Sequence, residues 1–207
     1  MKYGETIFDI AYLLFAIISG IIILRKENDD TELAMGRAVL FLGLGDAFHL
    51  VPRVLSYFSR RDLTALLGIG KLVTSITMTI FYVLMFKIYM ALLSKKRRNN
   101  KLTMTINILA IIRIILLLLP QNNWLNNESP LYMSVIRNIP FIILGFLVTY
   151  LYFRERKVNK ELKDIWILML LSFLFYIPVV LLASTFSIVR NVNDTKNHLL
   201  CINYSYF

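Results

Sequence analysis

Six apolar runs separated by short polar stretches organise the chain, near residues 6–24, 38–58, 65–93, 102–120, 131–153 and 165–186. A helix of roughly 18–25 mostly apolar residues is long enough to cross the hydrocarbon core of a bilayer. The pattern therefore predicts six transmembrane helices. The third run is long and should tilt or project past the bilayer. The fourth, "LTMTINILAIIRIILLLLP", ends at Pro120, and the fifth and sixth carry Pro140 and Pro178 near their centres. Such prolines are tolerated in membrane helices, usually with a kink. The first run has Glu5 and Asp9 at its front. It lacks the basic lead and small-residue cleavage site of a signal peptide, so it reads as a retained helix.

Composition agrees with that pattern. Hydrophobic residues make up 57% of the 207, charged residues only 17%, and mean hydropathy is +0.64. A soluble domain of this size carries about a quarter charged residues. The formal net charge of +10 would suit nucleic acid, but its placement says otherwise. Three alternate loops hold thirteen basic residues: Arg25, Lys26 and Arg37; Lys95, Lys96, Arg97, Arg98 and Lys101; Arg154, Arg156, Lys157, Lys160 and Lys163. The other side holds five: Lys2, Arg60, Arg61, Arg190 and Lys196. By the positive-inside rule the N-terminus is outside and the run "KKRR" is a topology anchor, with no nucleic-acid partner implied. The single Cys201 excludes an internal disulfide and a cysteine-based zinc site. Residues 187–207 are too polar to span and are expected to form a poorly ordered tail after a single membrane domain, 1–186. An outside N-terminus also fits a seven-helix bundle whose last helix is missing.

Ionisable residues inside apolar helices are costly and usually face a polar interior. Here they are Asp9, Asp46, His49, Arg53, Lys71, Arg113 and Arg137. Counted at ~1.5 Å per residue from the outer helix ends, Arg53, Lys71, Arg113 and Arg137 share a depth of ~7–11 Å. Asp46, His49 and Arg53 recur at i, i+3 and i+7, one face of the second helix. Lys71, Ser75, Met78 and Tyr82 form a similar stripe on the third. Gly43, Gly45, Gly68 and Gly70 in "LGLGD" and "LGIGK" are expected to let these two helices approach closely. Side chains lean toward their own helix N-terminus, which separates Asp46 from Lys71 and favours an Asp46–Arg113 pair. Two acids against four fixed cations leave a surplus of positive charge. A dry interior would not keep it unpaired, so water, an anionic small molecule or a lipid head group should enter.

These residues suggest three kinds of chemistry. Arg53, Lys71, Ser75, Arg113 and Arg137 suit binding of an anion. Asp46 and His49 suit a general acid–base pair acting on water. Two residues at i, i+3 on one helix make a Ser75–His49–Asp46 triad awkward. A metal needs three or four convergent ligands, and Asp46 and His49 supply two. No metal or other cofactor is expected.

Two resemblances bear on this choice. Asp46 after a glycine, then Leu50, Phe58, Gly68 and the pair Phe81–Tyr82, resembles the first half of the lysoplasmalogenase-like family over about 50 residues. Those multi-spanning membrane proteins include hydrolases of the lysoplasmalogen vinyl ether. The family's second acidic motif has no counterpart here, because the fourth, fifth and sixth runs contain no carboxylate. "GLGDAFH" is also similar to the glycine–serine–phenylalanine–histidine helix of alkaline ceramidases. Here Asp46 replaces the serine, and the later histidine pair of their zinc site is missing. The expectation is an all-α multi-pass protein of a cell membrane, in particular a bacterial plasma membrane, contacting membrane lipids. It binds or transports an anion or lipid head group in the outer half of the bundle. A lysoplasmalogenase-like lipid hydrolase and a purely structural protein are the alternatives.

Overall fold

A computed structural model describes residues 2–26, 29–93, 100–157, 165–167 and 169–170. The chain divides into two compact units, Met1–Tyr152 and Phe153–Phe207, which are treated separately. Five long helices follow one another: α1 (Lys2–Arg25), α2 (Asp30–Phe58), α3 (Thr64–Leu92), α4 (Asn100–Leu118) and α5 (Leu131–Glu155). All five are long and apolar enough to cross a membrane. They coincide with the first five expected spans. The sixth, 165–186, lies outside the described residues except at its first few positions, and the tail 187–207 lies wholly outside them.

Helix ends follow local chemistry more than hydropathy. α2 begins eight residues before its apolar run, because the Asp29 carboxylate accepts the Glu32 N–H at 2.8 Å and caps the first turn. The acids Asp30 and Glu32 in that turn oppose the positive end of the helix dipole. At the start of α3, the Thr64 hydroxyl and N–H hold the Asp62 carboxyl below its ordinary range, with the N–H donating at 2.9 Å.

The exterior is apolar. Leu44, Phe48, Val51, Leu55 and Phe58 form an exposed stripe on α2, and Phe8, Phe15, Ile18 and Ile22 are exposed on α1. Asp9, Asp46 and Arg113 are buried inside. An apolar surface of this extent, with charged groups turned inward, is what hydrocarbon surroundings favour and water does not.

Two packing modes hold the first unit together. α1, α2 and α3 approach through glycine. A Cβ at Gly43 would press on Ala16 of α1, and one at Gly45 would overlap Thr77 of α3. The Thr74 hydroxyl donates to the Gly45 carbonyl at 3.0 Å across the same seam. Pro52 has no N–H for the carbonyl of Phe48, four residues earlier. That carbonyl faces Gly70, where a Cβ would overlap it. Gly70 thus lets α3 cover the polar atom that the proline leaves over. α3 and α5 instead meet through large rings: Tyr82 stands edge-on to Phe141 at 5.4 Å, and Tyr89 lies 5.5 Å from Tyr152. The buried Tyr152 hydroxyl donates to the Met85 carbonyl at 2.8 Å.

The expected use of the four glycines holds for Gly45 and Gly70 and changes for the others. Gly43 faces α1, and Gly68 faces the α4–α5 connector at the Trp124 carbonyl. Positions two apart on a helix lie on different faces, so neither pair could serve one seam. In the second unit, Phe153 stands edge-on to Trp166 at 5.0 Å, and the Arg156 guanidinium lies 3.5 Å over the Phe153 ring.

Gly70→Ala should destabilise the protein by about 1–3 kcal/mol through overpacking against backbone. Gly4→Ala, with open space around it, should be neutral or slightly stabilising. Thermal unfolding of the two variants in the same detergent checks this.

Candidate functional site

The helix order places one end of α1 to α5 together: the starts of α1, α3 and α5 and the ends of α2 and α4. Glu5, Asp9 and Tyr12 recur at i, i+4 and i+7 on α1 and meet the Asp46–His49–Arg53 face of α2. Arg53 reaches Glu5 at 3.2 Å and Asp9 at 3.6 Å. The Tyr57 hydroxyl donates to the same Glu5 oxygen and accepts from Arg53 Nε at 3.3 Å. Asp9 is only 4% exposed, so Arg53 is its necessary counter-ion.

Asp46 is met by the Tyr12 hydroxyl, which donates to its Oδ2 at 2.7 Å. The expected Asp46–Arg113 pair does not form. α1 covers the Asp46 face and supplies Tyr12, while Arg113 turns toward α5. There Arg113 donates to Asn138 Oδ1 at 3.3 Å and to the Arg137 carbonyl at 3.5 Å. Its guanidinium sits 3.7 Å over the Phe141 ring, fully buried. Asp46 makes no ion pair with Lys71 either, and no hydrogen bond to His49.

Arg137 is engaged by the α4–α5 connector. Its Nη1 donates to Asn122 Oδ1 at 2.6 Å and to Ser129 Oγ at 2.8 Å, and its guanidinium stacks 4.4 Å over Trp124. Asn122 is fully buried, and its amide donates to the carbonyls of Leu116, Leu117 and Leu119 at 2.7–3.2 Å. Pro120 has no N–H to offer the Leu116 carbonyl, while the Leu117 carbonyl also accepts from Trp124 Nε1 at 2.8 Å and that of Leu119 from the Asn122 N–H at 3.1 Å. Two tight 3-10 turns, Pro120–Asn122 and Trp124–Asn126, make this possible. Each is followed by an asparagine with positive φ, Asn123 at 49° and Asn127 at 55°, a conformation asparagine tolerates well.

Lys71 differs from these three arginines. It is half-buried and level with His49, since neighbouring Gly70 packs on Phe48 and His49. It lies within electrostatic range of Arg53, Arg137 and His49. Among the described residues it has no hydrogen-bond or ion-pair partner. His49 Nδ1 is buried without a hydrogen bond. Ser75, one turn along α3, accepts from the Thr79 hydroxyl through its carbonyl at 2.8 Å, but among the described residues its own hydroxyl makes no hydrogen bond. The site residues named from sequence thus divide. Arg53, Arg113 and Arg137 each donate hydrogen bonds to protein groups, whereas among the described residues the side chains of Lys71, His49 and Ser75 make none.

Sequence reasoning passed over Glu5, Tyr12, Tyr57 and Asn122. The signal for the first three was present: Glu5 and Tyr12 share the face of Asp9, and Tyr57 stands one turn from Arg53. Asn122 carried no such signal, because its role depends on two turns of irregular backbone. Comparison with protein-family models, curated proteins and solved structures finds no match for the chain, so its function is read from these residues.

Asn122→Ala should cost about 2–3 kcal/mol, since it strands the Leu116 carbonyl and removes an acceptor from Arg137. Gln121→Ala, at an exposed neighbouring position, should change little. Thermal melting, with limited proteolysis of the connector, reads both.

Proposed function

We propose that the protein is a six-span membrane protein, N-terminus outside, that binds or transports an anionic small molecule or lipid head group at Lys71. Support for the topology is the thirteen-to-five bias of basic residues between the two sides. One observation carries the binding reading: among the described residues Lys71 is a half-buried cation without an anionic partner, near other cations. A charge kept out of water and left unpaired is costly, and an arriving anion removes that cost. Lys71 would supply the contact charge, with hydrogen bonds from Ser75 and His49. Arg53, Arg113 and Arg137 contribute their field from positions already fixed by protein groups. Transport would require alternating access, for which the proline at Pro140 in α5 offers a bending point. The hydrolase reading implied by the lysoplasmalogenase resemblance has less support, because Asp46 is held by Tyr12 and does not orient His49.

The test is ligand-dependent melting. Inorganic phosphate or a lysophosphatidate, at about ten times its Kd, should stabilise the wild type by about 1.4 kcal/mol. Lys71→Met should melt at or above the unliganded wild type and gain nothing from either anion. Equal shifts in both proteins, or none in the wild type, would contradict the proposal.

A further inference from the structure

A second feature lies toward the other end of α3 from Lys71. Two clefts follow one another along the seam between α3 and α4, each of about 320 Å³. The inner one is apolar over most of its length, with Ile80, Val83, Ile111 and Ile114 among its walls. The one nearer the helix ends is lined by Lys87 and Asn100 together with Phe86 and Met90. Among the described residues, Lys87 and Asn100 make no hydrogen bond or ion pair. On α3 the lining runs from Thr79 to Ala91, ~18 Å at 1.5 Å per residue. That is about half of a ~30 Å hydrocarbon core, the depth of one leaflet.

We propose that this seam holds one anionic phospholipid, its acyl chain between α3 and α4 and its phosphate at Lys87 and Asn100. Charge favours this occupant. The segment joining α3 to α4 carries Lys95, Lys96, Arg97 and Arg98 in its sequence, and Lys101 follows in the first turn of α4. Lys87 at the mouth of a mostly apolar cleft matches an anionic head group over its own chain. The site is separate from Lys71 and does not depend on the anion-binding reading.

The experiment is native mass spectrometry of the full chain released from nanodiscs with equal phosphatidylglycerol and phosphatidylcholine. Wild type should retain one phosphatidylglycerol in preference to phosphatidylcholine. Lys87→Gln should reduce that preference about fivefold, the weight of one lysine near an anionic surface. Ile111→Trp, at a position 56% exposed, should lower retention of both lipids by filling the slot. Circular dichroism confirms that both variants remain folded. A photoreactive side chain placed at Ile111 should label phospholipid. Unchanged preference in Lys87→Gln, or labelling of residues 165–186 in place of lipid, would overturn the proposal.

Discussion

A charge enclosed by apolar helices is stable only where another charge or a directed dipole meets it, and this constraint orders one end of the first unit. Arg53 joins α1 to α2 because Asp9 is buried and Glu5 stands one turn away on the same face. Arg113 joins α4 to α5 through Asn138 and the face of Phe141. Arg137 fixes the connector between those helices through Asn122, Ser129 and Trp124. Each guanidinium spreads its charge over several planar donors, which lets it satisfy groups on two elements at once. Lys71, a compact ammonium on a flexible stem, makes no such join. The functional proposal rests on that difference between three cations that organise the fold and one that does not.

The glycine seams make the constraint possible. Hydrogen bonds between side chains across two helices need backbones close enough for a tyrosine or arginine to reach. Gly43 brings α1 against α2, beside Tyr12 and Asp46. Gly45 and Gly70 bring α2 against α3 and set Lys71 level with His49. The α3–α5 contact solves the opposite problem with tyrosine and phenylalanine rings that bridge a wider gap. Close and wide seams on different faces of α3 set its distances to α2 and to α5.

Much of this was legible in the order of residues. Run length located α1 to α5, and helical spacing placed Asp46, His49 and Arg53 on one face. The partner of Asp46 was misjudged because depth and side-chain lean were weighed without asking which neighbour covers that face. The Glu5–Asp9–Tyr12 stripe on α1 contained the answer. The glycines were assigned jointly to one seam although positions two apart cannot share a face. The early start of α2 and the turns around Asn122 were not legible from hydropathy, since both depend on side chains capping backbone groups outside the apolar runs.

The central claim is that Lys71 awaits an anion from outside the protein. Its most direct test is a crystal structure grown from a lipidic phase, with the Lys71 ammonium resolved. The account predicts an anionic oxygen of a lipid or small molecule about 2.7–2.9 Å from Lys71 Nζ, the length of a charge-assisted hydrogen bond. A Lys71 side chain paired with a carboxylate of this chain, or extended to the aqueous surface without an anion, would contradict it.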